Sequence, residues 1–104
     1  MIRKVFKMQL HEEAVEEYRK RHNPIWPELE ILLKDKGVHN YSIFLDDESY
    51  SLFAYAEIES EIKWREISKS TVCLKWWAHM SSLMETNTDN SPVSKDLIEM
   101  FHID

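Results

Sequence analysis

From Ile2 to Leu10, apolar side chains recur at alternate positions: Ile2, Phe6, Met8 and Leu10 share one face, with Lys4 as the exception. A period of two predicts a β-strand. From about Glu12 to Arg21 the period lengthens. Ala14, Val15, Tyr18 and His22 fall at helical spacing, with Glu12, Glu13, Glu16 and Glu17 first and Arg19-Lys20-Arg21 last, the charge order a helix dipole favours. Asn23-Pro24 ends this helix, because a residue before proline is pushed out of the α region. A second helix opens near Pro27, with Glu28 and Glu30 in its first turn and Leu29, Leu32 and Leu33 as its apolar stripe. Gly37, the only glycine, suits the left-handed cap that closes it.

Alternation then returns. In Val38 to Asp46, the side chains of His39, Tyr41, Ile43 and Leu45 are expected on one face. Asp46-Asp47-Glu48-Ser49 reads as a turn and Leu52 to Glu59 as the second arm of a hairpin. Ser60 can cap a helix carrying Ile62, Trp64 and Ile67. A break near Ser70-Thr71 leads into a stronger helix, where Cys73, Trp76, Trp77, Met80, Leu83 and Met84 keep helical spacing. Glu85 to Pro92 is a polar loop, and a last strand is expected from about Leu97 to Ile103. The order β–αα–β–β–α–β predicts a ferredoxin-like α+β sandwich, an antiparallel sheet with helices on one face. The other face then needs a cover. A second copy of the chain is the simplest, so a homodimer is expected.

A length of 104 residues suits a single domain spanning 1–104, and 43% hydrophobic residues is ordinary for a globular chain. The net charge of −6 argues against nucleic acid, since phosphate binding needs clustered Lys and Arg. No apolar stretch approaches the ~20 residues that span a bilayer. Met1-Ile2-Arg3-Lys4 has no apolar run behind it, so neither a membrane segment nor a signal peptide is expected. Cys73 is the only cysteine and has no internal partner. A cytoplasmic protein is the expectation.

Several chemistries can be set aside. His11-Glu12-Glu13-Ala14-Val15 begins like a metalloprotease helix, but Val15 stands where the second histidine belongs. No pair among His11, His22, His39, His79 and His102 has ligand spacing, so no metal is expected. One glycine cannot build a phosphate loop. Cys73 lies on the apolar stripe of its helix and reads as an inert buried thiol. His22 is more informative. It ends the first helix, four residues after Tyr18, and the helix C-terminus favours a protonated imidazole. It is either a proton donor or a side chain that caps carbonyls. Trp76 and Trp77 diverge by about 100° on a helix, so either both are core or one opens onto a cleft where an indole faces a sugar's C–H surface. Tyr41 is equally compatible with core and pocket rim.

Four stretches carry a resemblance: Arg21-His22-Asn23-Pro24-Ile25-Trp26-Pro27-Glu28-Leu29, Asn40-Tyr41-Ser42-Ile43-Phe44-Leu45-Asp46, Trp76-Trp77, and Asp89-Asn90-Ser91-Pro92-Val93-Ser94. In order and spacing, along essentially the whole chain, they are similar to the L-rhamnose mutarotases. The resemblance implies a dimeric α+β barrel of the cytoplasm that interconverts the α and β anomers of L-rhamnose without a cofactor. It maps the proton donor onto His22 and the sugar contacts onto Tyr18, Tyr41, Trp76 and Trp77. No carboxylate stands out as the base, and water or a tyrosine is the remaining choice. Because the same barrel is used by cofactor-free monooxygenases and haem-binding proteins, those form the rival reading, with a non-catalytic sugar sensor as a third.

Overall fold

Four strands form one antiparallel sheet in the order β2-β3-β1-β4: β1 (Ile2–Gln9), β2 (Val38–Asp46), β3 (Ser51–Ile58) and β4 (Ser94–Asp96). The coordinates are those of a computed structural model describing residues 1–104. Register explains the core. Met8 lies opposite Leu52 and Phe6 opposite Ala54 across β1–β3, while Val38 faces Ile58 and Ile43 faces Ala54 across β2–β3. Directly opposed residues share a face, so these side chains make one apolar surface, on which Ala54, Ala56 and Ile58 are fully buried.

Helices α1 (Val15–Arg21), α2 (Pro27–Asp35), α3 (Glu61–Ile67) and α4 (Thr71–Met80) cover that surface. Leu29, Trp76 and Met80 pack on Met8, Leu52 and Ala54; Ile67 and Cys73 pack on Val38, Ala56 and Ile58. The fold is thus α+β and ferredoxin-like, with its helices on one face. No helix is long and apolar enough to cross a membrane.

Local chemistry sets the element ends. The Ser60 hydroxyl accepts from the Lys63 N–H at 3.3 Å and the Ser70 hydroxyl from the Cys73 N–H at 3.2 Å, so two caps separate α3 from α4. Pro27 sits in the first turn of α2. Gly37 has φ +76°, and its N–H donates to the Lys34 carbonyl. Four expectations need correction. The helix expected to carry Leu83 and Met84 ends at Met80, with Ser81–Leu83 a 3₁₀ turn and Met84 extended. Glu12–Ala14 forms a 3₁₀ turn and the α-helix starts only at Val15.

His39 does not share a face with Tyr41. The pairing steps from His39–Glu57 to Ser42–Tyr55, so one extra residue bulges from β2, with Asn40 at φ +48°. The bulge shifts the alternation by one: Val38, Tyr41, Ile43 and Leu45 face the helices, and His39 faces Glu59 on the outer surface, at 2.9 Å. The last strand is Ser94–Asp96, not Leu97–Ile103. It pairs with Phe6–Met8, and Leu97 donates one further bond to the Val5 carbonyl. Beyond that, an Arg3–Glu99 ion pair is the tie to β1. Ile98, Met100, Phe101 and Ile103 stand exposed, because within one chain no strand lies beside them to complete a ladder.

Candidate active site

Between the helices and the sheet lies a cavity of about 1230 Å³. Every residue singled out from the sequence lines it: Tyr18 and His22 from the end of α1, Tyr41 from β2, Trp76 and Trp77 from α4. Five positions spread over 60 residues of chain are therefore one site in space.

His22 is the C-cap of α1. Its backbone N–H donates to the Arg19 carbonyl, and its ring Nδ1 lies 2.8 Å from the Tyr18 carbonyl oxygen. A carbonyl only accepts, so Nδ1 carries the hydrogen and a neutral ring has its lone pair on Nε2. The Tyr18 ring lies 4.4 Å from the imidazole, tilted by 37°, and the Trp76 indole meets it edge-on at 5.2 Å. Trp26 braces the far side of Trp76 at 5.1 Å. The imidazole is thus held by its backbone bond and wedged between rings. Burial lowers its pKa from the ordinary 6.5, and the hydrogen bond it donates to the Tyr18 carbonyl only partly offsets this.

The two phenols are displaced the other way. Burial raises Tyr18 well above its usual range, helped by repulsion from the neighbouring Tyr41; burial also raises Tyr41. Tyr41 nonetheless keeps 36% of its surface accessible, as befits a residue on an open cavity wall. Both phenols stay protonated at neutral pH and can donate hydrogen bonds. Trp76 is buried and anchors the core as well as edging the cavity, while Trp77 is half-buried.

A second aromatic group, which joins Tyr41 to Phe6 and Trp64, two residues the sequence marks only as apolar, closes another part of the wall. Phe6, Tyr41 and Trp64 pack with centroids 5.8–6.4 Å apart. Lys4 lies over Trp64 at 5.9 Å, with its Nζ 3.4 Å from Glu61 and 3.5 Å from Asp96. The signal for Lys4 was present: it was the one charge in the apolar row of β1. Two carboxylates line the cavity, and both already face lysines, Asp96 facing Lys4 and Glu30 facing Lys34 at 2.8 Å. No three His, Cys, Asp or Glu side chains converge as metal ligands. The Cys73 thiol is pushed up to about 11 by burial, so it is not a thiolate nucleophile.

A ferredoxin-like sheet whose helix side encloses the His22 imidazole, two phenols and several indoles is equipped for proton transfer on a small ligand. A model of the L-rhamnose mutarotase family matches residues 3–103. The chain belongs to that family, whose enzymes are carbohydrate isomerases. It is 53% identical to the L-rhamnose mutarotase of Klebsiella pneumoniae and 54% identical to that of Salmonella paratyphi B, over 99% of both chains in each case. A crystal structure of L-rhamnose mutarotase from Formosa agariphila superposes with a TM-score of 0.92 at 40% identity, over 100% of both chains. More distant is a dimeric ferredoxin-like protein from an uncultured marine organism, with a TM-score of 0.55 at 13% identity, covering 97% of this chain and 96% of its own. A candidate antibiotic biosynthesis monooxygenase from Nitrosomonas europaea gives 0.65 at 10%, covering 97% and 100%. These last two share the fold alone, so the monooxygenase and haem readings are not favoured.

Proposed function

We propose that this chain, as one domain over residues 1–104, interconverts the α and β anomers of L-rhamnose, with His22 moving the proton. The observation that carries the reading is the imidazole fixed by Tyr18 inside an aromatic cavity. Anomer exchange requires the C1–O5 bond to break, the C1–O1 bond to become a carbonyl, and one proton to pass from O1 to O5. Rotation about C1–C2 and the reverse steps then give the other anomer. Neutral His22 presents Nε2 as an acceptor, so it takes the C1 hydroxyl proton. The resulting imidazolium sits at the carbonyl end of α1, which favours the charge. It then returns the proton to O5.

One nitrogen can serve both oxygens because they share a carbon. The open question of the base is answered in this scheme by His22 itself. Tyr18 and Tyr41, held as protonated phenols, suit hydrogen bonds to sugar hydroxyls better than proton removal. Trp76 and Trp77 offer flat apolar surface to the ring's C–H face. Acid–base catalysis of this kind contributes ~10²–10⁴-fold. The scheme needs no cofactor, because no electrons or groups leave the sugar.

The protein acts as a cytoplasmic homodimer in this reading. Its support is the uncovered outer sheet face bearing Phe44, the exposed apolar side chains after Leu97, and the lone unpaired Cys73. Light scattering on a size-exclusion column tests the dimer. Saturation transfer between the two anomeric protons of equilibrated L-rhamnose tests the activity: added protein should raise the transfer. An unchanged transfer rate, with a Soret shift on adding haemin, would favour the haem reading instead.

A further inference from the structure

We propose that Asn40 is a positioning residue for this reaction: its hydrogen bond to Glu57 on the outer face of the sheet braces the β2 bulge that turns Tyr41 into the cavity. The inference rests on the reading that Tyr41 binds the sugar. Its first support is parity. Val38 faces Ile58 and Ile43 faces Ala54, both toward the helices. They are five residues apart, and an unbroken strand would put them on opposite faces. One extra residue between His39 and Ser42 reconciles them, and the same residue moves Tyr41 from the outer surface to the cavity wall. There its ring contacts Phe6 and Trp64.

The second support is the conformation of the extra residue. Asn40 has φ +48°, a region that costs most side chains but that Asn visits readily. The third is the brace. Asn40 Nδ2 donates to Glu57 Oε1 at 2.9 Å, and Glu57 Oε2 accepts from the Tyr55 hydroxyl at 2.8 Å. Glu57 is thereby fixed from two sides on the central strand β3. Asn40 borders the cavity at the bulge, but its amide is turned to Glu57, so it acts through Tyr41 and not on the sugar. Apolar packing of Val38 and Ile43 retains the bulge in its absence, but with the Tyr41 backbone less closely held.

The test is a double-mutant cycle in the L-rhamnose exchange assay, using Asn40→Ala, Tyr41→Phe and both together. A contact made in ground and transition states shows in KM with kcat little changed. Each single variant should raise KM by about 10-fold, within the range that small misplacements produce, and the double variant should be no worse than Tyr41→Phe. Asn40→Gly, which keeps the left-handed backbone without strain but lacks the amide, should stay impaired, and native KM in it would assign the effect to the backbone alone and overturn the brace. If Asn40→Ala does not fold, Glu57→Ala enters the same cycle, since it removes the acceptor of the Asn40 amide. A full, multiplicative Asn40 effect on top of Tyr41→Phe would overturn the proposal. So would native KM in either Asn40→Ala or Glu57→Ala while Tyr41→Phe is impaired. Native kinetics in Tyr41→Phe would remove the underlying reading of Tyr41, and this proposal with it.

Discussion

Replacing Gly37 by alanine strains the chain at a single point, the junction of α2 and β2. Gly37 has φ +76°, where an L side chain costs roughly 1–2 kcal/mol. The added Cβ would also stand 2.8–2.9 Å from Cδ, Cβ and Cγ of Glu59. Glu59 cannot simply withdraw, because its N–H donates to the Gly37 carbonyl at 3.1 Å. Overpacking of this kind costs roughly 1–3 kcal/mol, and the low end applies because part of the side chain is exposed. Together the change should destabilise by about 2–3 kcal/mol. At roughly 4–8 °C per kcal/mol for a chain of this length, the midpoint should fall by about 10–20 °C in thermal melts followed by circular dichroism. Gly37→Asn should fall less, since Asn tolerates the left-handed region and leaves only the steric part. Anomer exchange at 25 °C should persist in both variants, because Gly37 does not line the cavity. A Gly37→Ala midpoint within 2 °C of native, or an Asn variant less stable than the Ala one, would refute the argument.

Trp76 is 9% exposed, so Trp76→Ala should lose about 3–5 kcal/mol in urea unfolding; Trp76→Phe should stay folded but exchange L-rhamnose more slowly. The Cys73 thiol, buried and pushed up to about 11, should resist a thiol-specific dye in the native protein and react promptly in urea. His22 carries a pH signature in stability. Its folded pKa lies below the unfolded 6.5, so the unfolded chain takes up the proton first as pH falls. The contribution is complete above pH 6.5 and is lost as pH drops through the folded pKa. Denaturant titrations from pH 8 to pH 5 should therefore show native stability falling more than that of His22→Gln, and equal slopes would contradict the burial argument.

Much of the architecture was legible because local rules and packing agree. Ser60 and Ser70 cap the helices they precede, Pro27 opens α2, and Gly37 closes it in the conformation it alone adopts freely. The failures have physical causes. Alternation in β2 was read straight through Asn40, and a bulge is invisible to a period-two count because it depends on what the neighbouring strand needs to bury. The expected strand after Leu97 had apolar side chains suited to a sheet, but a ladder requires a neighbour. Tyr18, His22, Tyr41, Trp76 and Trp77 stand out in the sequence by residue type and family resemblance; that they line one cavity is a matter of topology. The Phe6–Trp64–Lys4 group went unnoticed because Phe6 and Trp64 fit an ordinary core pattern and Lys4 looked like a lapse in one. Which nitrogen of His22 carries the hydrogen is not legible in the sequence either, since a backbone carbonyl fixes it.

In the proposed reaction His22 carries the proton between the two oxygens on C1. The most direct test is anomer exchange of L-rhamnose by His22→Gln, with circular dichroism and light scattering confirming that the variant keeps the native fold and assembly. In that variant kcat should fall by about 10²–10⁴-fold while the native protein exchanges rapidly. A folded His22→Gln protein exchanging at the native rate would show that the proton travels by another group.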